Sequence, residues 1–139
     1  MRSSIIETYR HDGNGYEPFL IRDGWQVAQL NYMPQQDLFG ITKMDRHFHT
    51  DEAFIAIKGV AVLIGAKEWE NGFAFEYALL KRGAVYNIPA GAWHNIAMGR
   101  DAALIIVEKD NTHTGDFECR QLTDAQKKEL NAHIGALLT

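Results

Sequence analysis

The chain has 139 residues, of which 46% are hydrophobic and 23% charged, a size and balance typical of one folded domain and not of a disordered chain. Its 14 basic and 18 acidic side chains give a formal net charge of −4, so we expect neither nucleic acid nor an anionic membrane as partner. Cys119 has no second cysteine to pair with, and no apolar stretch resembles a signal peptide or a bilayer span. We therefore expect a cytoplasmic protein with one domain over residues 1–139.

The first third of the chain predicts short strands separated by turns. The stretch FLIRDGWQVAQLNYM (19–33) predicts two strands around a turn at Asp23–Gly24. Residues 34–40 (PQQDLFG) form the predicted connection, and ITKMDRHFH (41–49) is predicted to be a strand.

Short apolar or alternating segments, each bounded by Gly, Asp or Asn, continue this pattern along the chain. They are EAFIAIKG (52–59), VAVLIGAK (60–67), FAFEYALL (73–80), GAVYNIP (83–89), WHNIAM (93–98) and ALIIVEK (103–109). Asn71–Gly72, between two aromatic runs, is a strong hairpin signal. Because no helical period separates these segments, the pattern predicts an antiparallel sandwich or barrel.

The C-terminal stretch LTDAQKKELNAHIGALLT predicts a helix over about residues 123–138. Thr123 is a good N-cap, and Gln126 completes a capping box. Leu130, Ile134 and Leu137 recur at helical spacing, which gives the helix one apolar face to lay on the barrel.

A pair of histidines in RHFHTDE is the first chemical signal. If residues 41–49 form a strand, His47 and His49 point to the same side, as two imidazoles must in order to bind one ion. Glu52 lies an odd number of positions from both, so its carboxylate joins them only through a turn or bulge at Thr50–Asp51.

Two motifs here resemble those of the cupin superfamily. The first is carried by Gly40, His47, His49, Glu52 and Gly59. The second, in GAVYNIPAGAWHNIAMG (83–99), is carried by Gly83, Pro89, Gly91 and His94. The sequence departs from the family pattern in the Gly40–His47 and His49–Glu52 spacings and in Met98, where the family usually has asparagine.

The resemblance implies an all-β double-stranded β-helix, the cupin jelly-roll barrel, over about residues 20–110, followed by the short helix. It also implies one divalent transition metal at the barrel mouth, such as iron, manganese, nickel or zinc. The ligands implied by matching positions are His47, His49, Glu52 and His94. The expected function is metal-dependent chemistry on a small molecule, of oxygenase or isomerase type.

Two alternatives stay open: a non-catalytic cupin that binds or senses a small ligand, and a metal-free isomerase of the sugar-nucleotide type. Tyr32, Tyr77 and Lys81 are the candidates for acid or base catalysis because each carries a titratable tip. His11, His113 and His133 have no ligand spacing and are expected to be structural. The sequence contains neither an activated nucleophile nor a glycine-rich phosphate loop.

The sequence also predicts a homodimer. The segments AFIAI (53–57) and VAVLI (60–64) are apolar at consecutive positions, so both faces of each strand are apolar. One small barrel core covers one face of each strand, and we expect the second face to pack on a partner subunit.

Overall fold

The computed structural model of the chain describes residues 4–139, which form ten strands, one α-helix and two short 3₁₀ helices. The strands are β1 (Gly15–Arg22), β2 (Trp25–Asn31), β3 (Lys43–Arg46), β4 (Glu52–Lys58), β5 (Ala61–Trp69), β6 (Gly72–Leu79), β7 (Val85–Ile88), β8 (Trp93–Met98), β9 (Ala103–Glu108) and β10 (Glu118–Gln121). The helices are α1 (Asp124–Leu137) and the 3₁₀ helices Pro34–Gln36 and Thr112–Thr114. The helix of this described part is not long and apolar enough to cross a membrane.

The strands form two antiparallel sheets of five strands each. The first sheet has the order β1-β2-β9-β4-β7, and the second has the order β10-β3-β8-β5-β6. Their facing sides enclose a core that includes Phe54 and Leu104, with exposures of 1% and 0%. The all-β fold class with a C-terminal helix is therefore confirmed.

Tight turns join two of the strand pairs. Asp23 and Gly24 connect β1 to β2, as predicted, and Arg22 pairs with Trp25 across that turn. The predicted hairpin near Asn71–Gly72 also forms, but Trp69 pairs with Gly72, so the turn residues are Glu70 and Asn71. Glu70 has a φ of 53° and supplies the left-handed conformation that the Asn–Gly pair was expected to supply.

Helix α1 covers the outer side of the second sheet. Its Leu130 and Ile134 are fully buried and pack in one cluster with Val62 and Ile64 of β5. The predicted capping box is present, with Thr123 accepting from the Gln126 backbone N–H. The second apolar face of VAVLI thus packs on the chain's own helix, and not on a partner subunit as we had expected.

The outer side of the first sheet has no such cover within the described residues. Ile57 of β4, Val85 of β7 and Trp25 of β2 are 37%, 65% and 45% exposed. Burial alternates along β4, with Glu52, Phe54 and Ala56 buried and the residues between them less so. We therefore expect the homodimer interface on this outer side of the first sheet.

Strand β3 is shorter than predicted. It ends at Arg46, and residues 47–51 form a loop that bends at Phe48 and His49 before β4 begins. The strand prediction for 41–49 was wrong at both ends. This loop determines the geometry of the site, because it starts at one predicted ligand and ends next to another.

Candidate metal centre

Asp116, from the connection before β10, fixes the loop 47–51. Its carboxylate accepts hydrogen bonds from the backbone N–H groups of Phe48 and His49, at 2.9 and 3.0 Å. Its backbone carbonyl accepts a hydrogen bond from His47 Nδ1 at 2.7 Å. Burial raises the pKa of Asp116, but these donors outweigh burial and lower it. One residue thus holds both the loop backbone and the His47 ring.

Three side chains converge where the two sheets face each other. His47 follows β3, Glu52 is the first residue of β4, and His94 is the second residue of β8. Glu52 Oε2 lies 2.7 Å from His47 Nε2 and 3.3 Å from His94 Nε2. The three potential ligand atoms all lie within 4.8 Å of one another, so these residues could hold one metal ion.

Backbone carbonyls orient both imidazoles. His47 Nδ1 contacts the carbonyl of Asp116, and His94 Nδ1 contacts the carbonyl of Ala92 at 3.0 Å. A carbonyl accepts only, so each Nδ1 carries the hydrogen and each Nε2 is left to face Glu52. Metal-ligating histidines are held in this way, with the second ring nitrogen donating to a fixed acceptor.

The carboxylate of Glu52 supports the fit to a metal. Its Oε2 is buried, and no described residue makes a hydrogen bond to it with acceptable geometry. The Nε2 atoms of His47 and His94 lie 2.7 and 3.3 Å from this oxygen. A buried oxygen without a hydrogen bond is costly unless another group binds it. The donor atoms therefore fit a cation located between them.

Without a metal, the protonation states of the two imidazoles and the carboxylate depend on one another. Burial lowers the pKa of His47, but the contact with Glu52 outweighs it and raises the pKa to about 9. The pKa of His94 is raised in the same way, against burial. Burial raises the pKa of Glu52, yet the two imidazoles lower it below its usual value. The cluster thus favours protonated imidazoles on His47 and His94 and an ionised carboxylate on Glu52. A metal ion must displace the imidazole protons in order to bind.

His49, predicted as a ligand, lies outside this group. Its side chain is 74% exposed, and its Nδ1 contacts Asp116 Oδ1 at 3.3 Å. The two-residue alternation that placed it beside His47 holds only in a strand, and β3 ends at Arg46. The bend turns His49 towards solvent and brings Glu52 to His47.

A cavity of about 240 Å³ opens onto the three residues. Its apolar wall includes Leu30, Phe54, Ile96 and Ile106, and its polar wall includes Tyr16, Gln36, Asp45, Asn95, Glu108 and His113. Of these side chains, Tyr16, Asp45, Glu108 and His113 carry titratable groups that were not predicted from the sequence to belong to the site. Glu108 had a signal in the sequence, since it shares strand parity with the buried Leu104 and Ile106.

A hydrogen-bonded chain runs along the polar wall. The Tyr16 hydroxyl donates to Glu108 Oε2 at 3.3 Å, and Gln26 Nε2 donates to the Tyr16 oxygen at 3.0 Å. Gln26 Nε2 also lies 3.2 Å from His113 Nδ1. Burial, followed by the charge of Glu52, raises the pKa of Glu108, and burial raises the pKa of Tyr16.

The predicted acid–base residues lie elsewhere. Tyr32 donates its hydroxyl to Asp37 at 2.8 Å, and Lys81 is exposed. Tyr77 stacks on His133, with ring centroids 3.9 Å apart, and lines a separate cavity of about 630 Å³ near β6 and β7. None of the three lines the cavity at His47, Glu52 and His94.

Comparison with known proteins bears on the fold. No protein-family model matches the chain, and no curated protein matches its sequence significantly. A variant of Streptomyces PAC13, solved with uridine, is 9% identical, with 93% of this chain and 95% of that chain covered and a TM-score of 0.56. KdgF from Halomonas sp. is 14% identical over 78% of this chain and 92% of that chain, with a TM-score of 0.52.

A cupin-2 domain-containing protein from Shewanella frigidimarina is 18% identical over 73% of this chain and 84% of that chain, with a TM-score of 0.49. The likenesses to PAC13 and KdgF, with TM-scores above 0.5, concern the fold alone at these identities. Two antiparallel five-stranded sheets around a shared core form the jelly roll that the two motifs predicted. The chain is a cupin-fold protein.

Proposed function

We propose that the chain binds one divalent metal through His47 Nε2, Glu52 and His94 Nε2, and that it is a metal-dependent enzyme for a small molecule. The observation that carries this proposal is the convergence of the three ligand atoms within 4.8 Å at the end of a cavity. His49 is not part of this ligand set.

The three donor groups limit the range of metals that the site is expected to bind. Two imidazoles and one carboxylate suit iron, manganese, nickel or zinc, and with open positions they are typical of non-haem iron(II) oxygenases. Iron(II) is therefore the first metal to load. When bound, the ion acts as a Lewis acid and offers free positions to a substrate oxygen or to dioxygen.

The chain's own residues supply the surroundings. Leu30, Phe54 and Ile106 give the cavity an apolar wall that limits the entry of water. Tyr16 and Glu108 also line the cavity and share a hydrogen bond, so they can hold a proton beside the substrate. We assign acid–base duty to this pair in place of Tyr32, Tyr77 and Lys81, which lie outside the cavity.

Elemental analysis of tag-free protein tests the metal site. After anaerobic loading with iron(II), wild-type protein should retain about one equivalent of metal. His94→Ala should lose it, and His49→Ala should retain it, because His49 faces solvent. Circular dichroism checks that each variant is folded. Wild-type protein that binds none of iron, manganese, nickel and zinc would overturn the proposal.

The metal-free isomerase remains a second candidate because Tyr16 and Glu108 already form an acid–base pair in the same cavity as His47 and His94. Turnover of a sugar substrate by chelator-treated protein would favour it. The non-catalytic alternative predicts bound metal without turnover in oxygen-uptake and isomerase assays. These assays, run on the same loaded and stripped samples, separate the three functions.

A further inference from the structure

Glu108 is a buried carboxyl group on the cavity wall. It is 7% exposed, and its Oε2 accepts the Tyr16 hydroxyl. Gln26, which is fully buried, holds that hydroxyl in place from the other side. The Gln26 side-chain oxygen in turn accepts the backbone N–H of Asn111 at 2.7 Å. The fold thus fixes one oxygen of Glu108, and within residues 4–139 no hydrogen-bond donor reaches the other.

The basic side chains that line the cavity are histidines, and two of them, His47 and His94, already face Glu52. Within residues 4–139, neither lysine nor arginine lines the cavity. Asp45, the other acidic residue on the polar wall, has Lys43 Nζ at 3.5 Å from its Oδ1. Glu108 forms no ion pair within the described residues, so it presents an acceptor for which a ligand must supply the donor.

We infer that the substrate is a small uncharged or cationic molecule, a polyol or amino alcohol, whose hydroxyl or ammonium group donates to Glu108. This inference rests on the proposed function, because the same molecule is expected to present an oxygen to the metal. Compounds with a phosphate or carboxylate group are disfavoured, since they would bring a negative charge against a buried carboxyl.

The charge of the metal does not reverse this preference. A divalent ion adds two positive charges, and Glu52 and Glu108 together offset them. A polyanion therefore finds no net positive field in the cavity, whereas a neutral hydroxyl compound meets both an acceptor and an ion. The cavity volume of about 240 Å³ also restricts the ligand to a small molecule.

Three ligands of matched size test the inference: 1-amino-2-propanol, propane-1,2-diol and lactate. Their dissociation constants are measured by NMR titration on metal-loaded and metal-free protein, for wild type, Glu108→Gln and Glu17→Gln. Glu17 is exposed on β1 and serves as the matched control. Wild type and Glu17→Gln should bind lactate weakest, although a carboxylate is a good ligand for the metal.

Glu108→Gln should weaken the binding of 1-amino-2-propanol about tenfold relative to wild type. The difference between its dissociation constant and that of lactate should therefore become smaller. Lactate binding tightest to wild type, an unchanged ratio between the dissociation constants of the amino alcohol and lactate in Glu108→Gln, or binding of none of the three would overturn the inference. Metal content, measured on the same samples, tests the proposed function separately. The dissociation constants of the three ligands can also be compared in metal-free protein, so the inference is tested even if no metal binds.

Discussion

Glu52 and Glu108 are direct register partners on the neighbouring strands β4 and β9, and both line the same cavity. Like charges placed opposite each other destabilise a sheet. The protein separates their protonation behaviour, because imidazoles lower the pKa of Glu52 while burial and Glu52 raise the pKa of Glu108. The pair therefore lowers the stability of the fold by an amount that depends on pH.

Glu108→Gln should stabilise metal-free protein at pH 8 by about 1 kcal/mol, because it removes the repulsion from Glu52 while keeping an acceptor for Tyr16. The raised pKa of Glu108 fixes the sign, since its ionised form is less favoured in the folded state than in the unfolded state. The contribution of Glu108 to wild-type stability should therefore fall as pH rises from the ordinary value of 4.5 through about 7. Urea unfolding at pH 4 and pH 8 checks this, and an equal gain at both values would contradict it.

Metal affinity should rise with pH up to about 9, the pKa of His47. Below that pH the metal must displace a proton from His47 Nε2, so affinity should change by up to about tenfold per pH unit. In metal-free protein the sign is opposite, because the raised pKa gives stability that is lost as pH rises from 6.5 through about 9. Calorimetric titrations with zinc at several pH values measure the first effect. A flat affinity profile would show that His47 is not a ligand.

Asp116→Ala should lower metal affinity about tenfold, although the Asp116 side chain does not contact the three candidate ligands. Its carboxylate holds the backbone of Phe48 and His49, and that loop positions His47. Asp116→Asn keeps one side-chain acceptor oxygen and should recover part of the affinity. Equal affinity in both variants and wild type, at unchanged stability, would mean that the loop holds its shape without this residue.

Gly59→Ala should destabilise the fold by about 3 kcal/mol, because a left-handed φ and a close contact combine there. Gly59 has a φ of 75°, and an added Cβ would lie 2.5 Å from Ala102 Cα. Gly83 is the matched control, with a φ of 92° and open space around its Cα, so Gly83→Ala should cost about 1 kcal/mol. Chemical denaturation gives both values, and equal costs would rule out the packing argument.

We predict a homodimer formed through the outer side of the first sheet. Val85→Lys and Ile57→Lys each place a charge on that surface, where the wild-type side chains are 65% and 37% exposed. Both variants should be monomers by light scattering at micromolar concentration, whereas Leu138→Lys, at the end of the helix on the other sheet, should remain dimeric. A monomeric wild type would contradict the prediction.

Much of the fold follows from local patterns in the sequence. Short apolar or alternating segments bounded by turn residues predict β4 to β9, and Thr123 with Gln126 predicts the start of α1. Strand β10 was missed because its four residues are mostly exposed and carry no apolar alternation. It exists through pairing with β3, a contact that local sequence does not encode.

The site was less predictable than the fold. Motif spacing identified His47, Glu52 and His94, but both the motif and strand parity also selected His49, because nothing in RHFHTDE marks the end of β3 at Arg46. Asp116 determines that bend from 69 positions away along the chain. Long-range contacts of this kind, like the pairing of Tyr16 with Glu108 across 92 positions, become visible only in the folded structure.

The position of the three candidate ligands also bears on how easily the two sheets separate. Glu52 belongs to the first sheet and His94 to the second, so an ion bound to both would cross-link the two halves of the sandwich. With one cysteine, the chain cannot make this connection by an internal disulfide. The metal would then act as a staple, and the amide hydrogens of both sheets should exchange more slowly with solvent deuterium when it is bound.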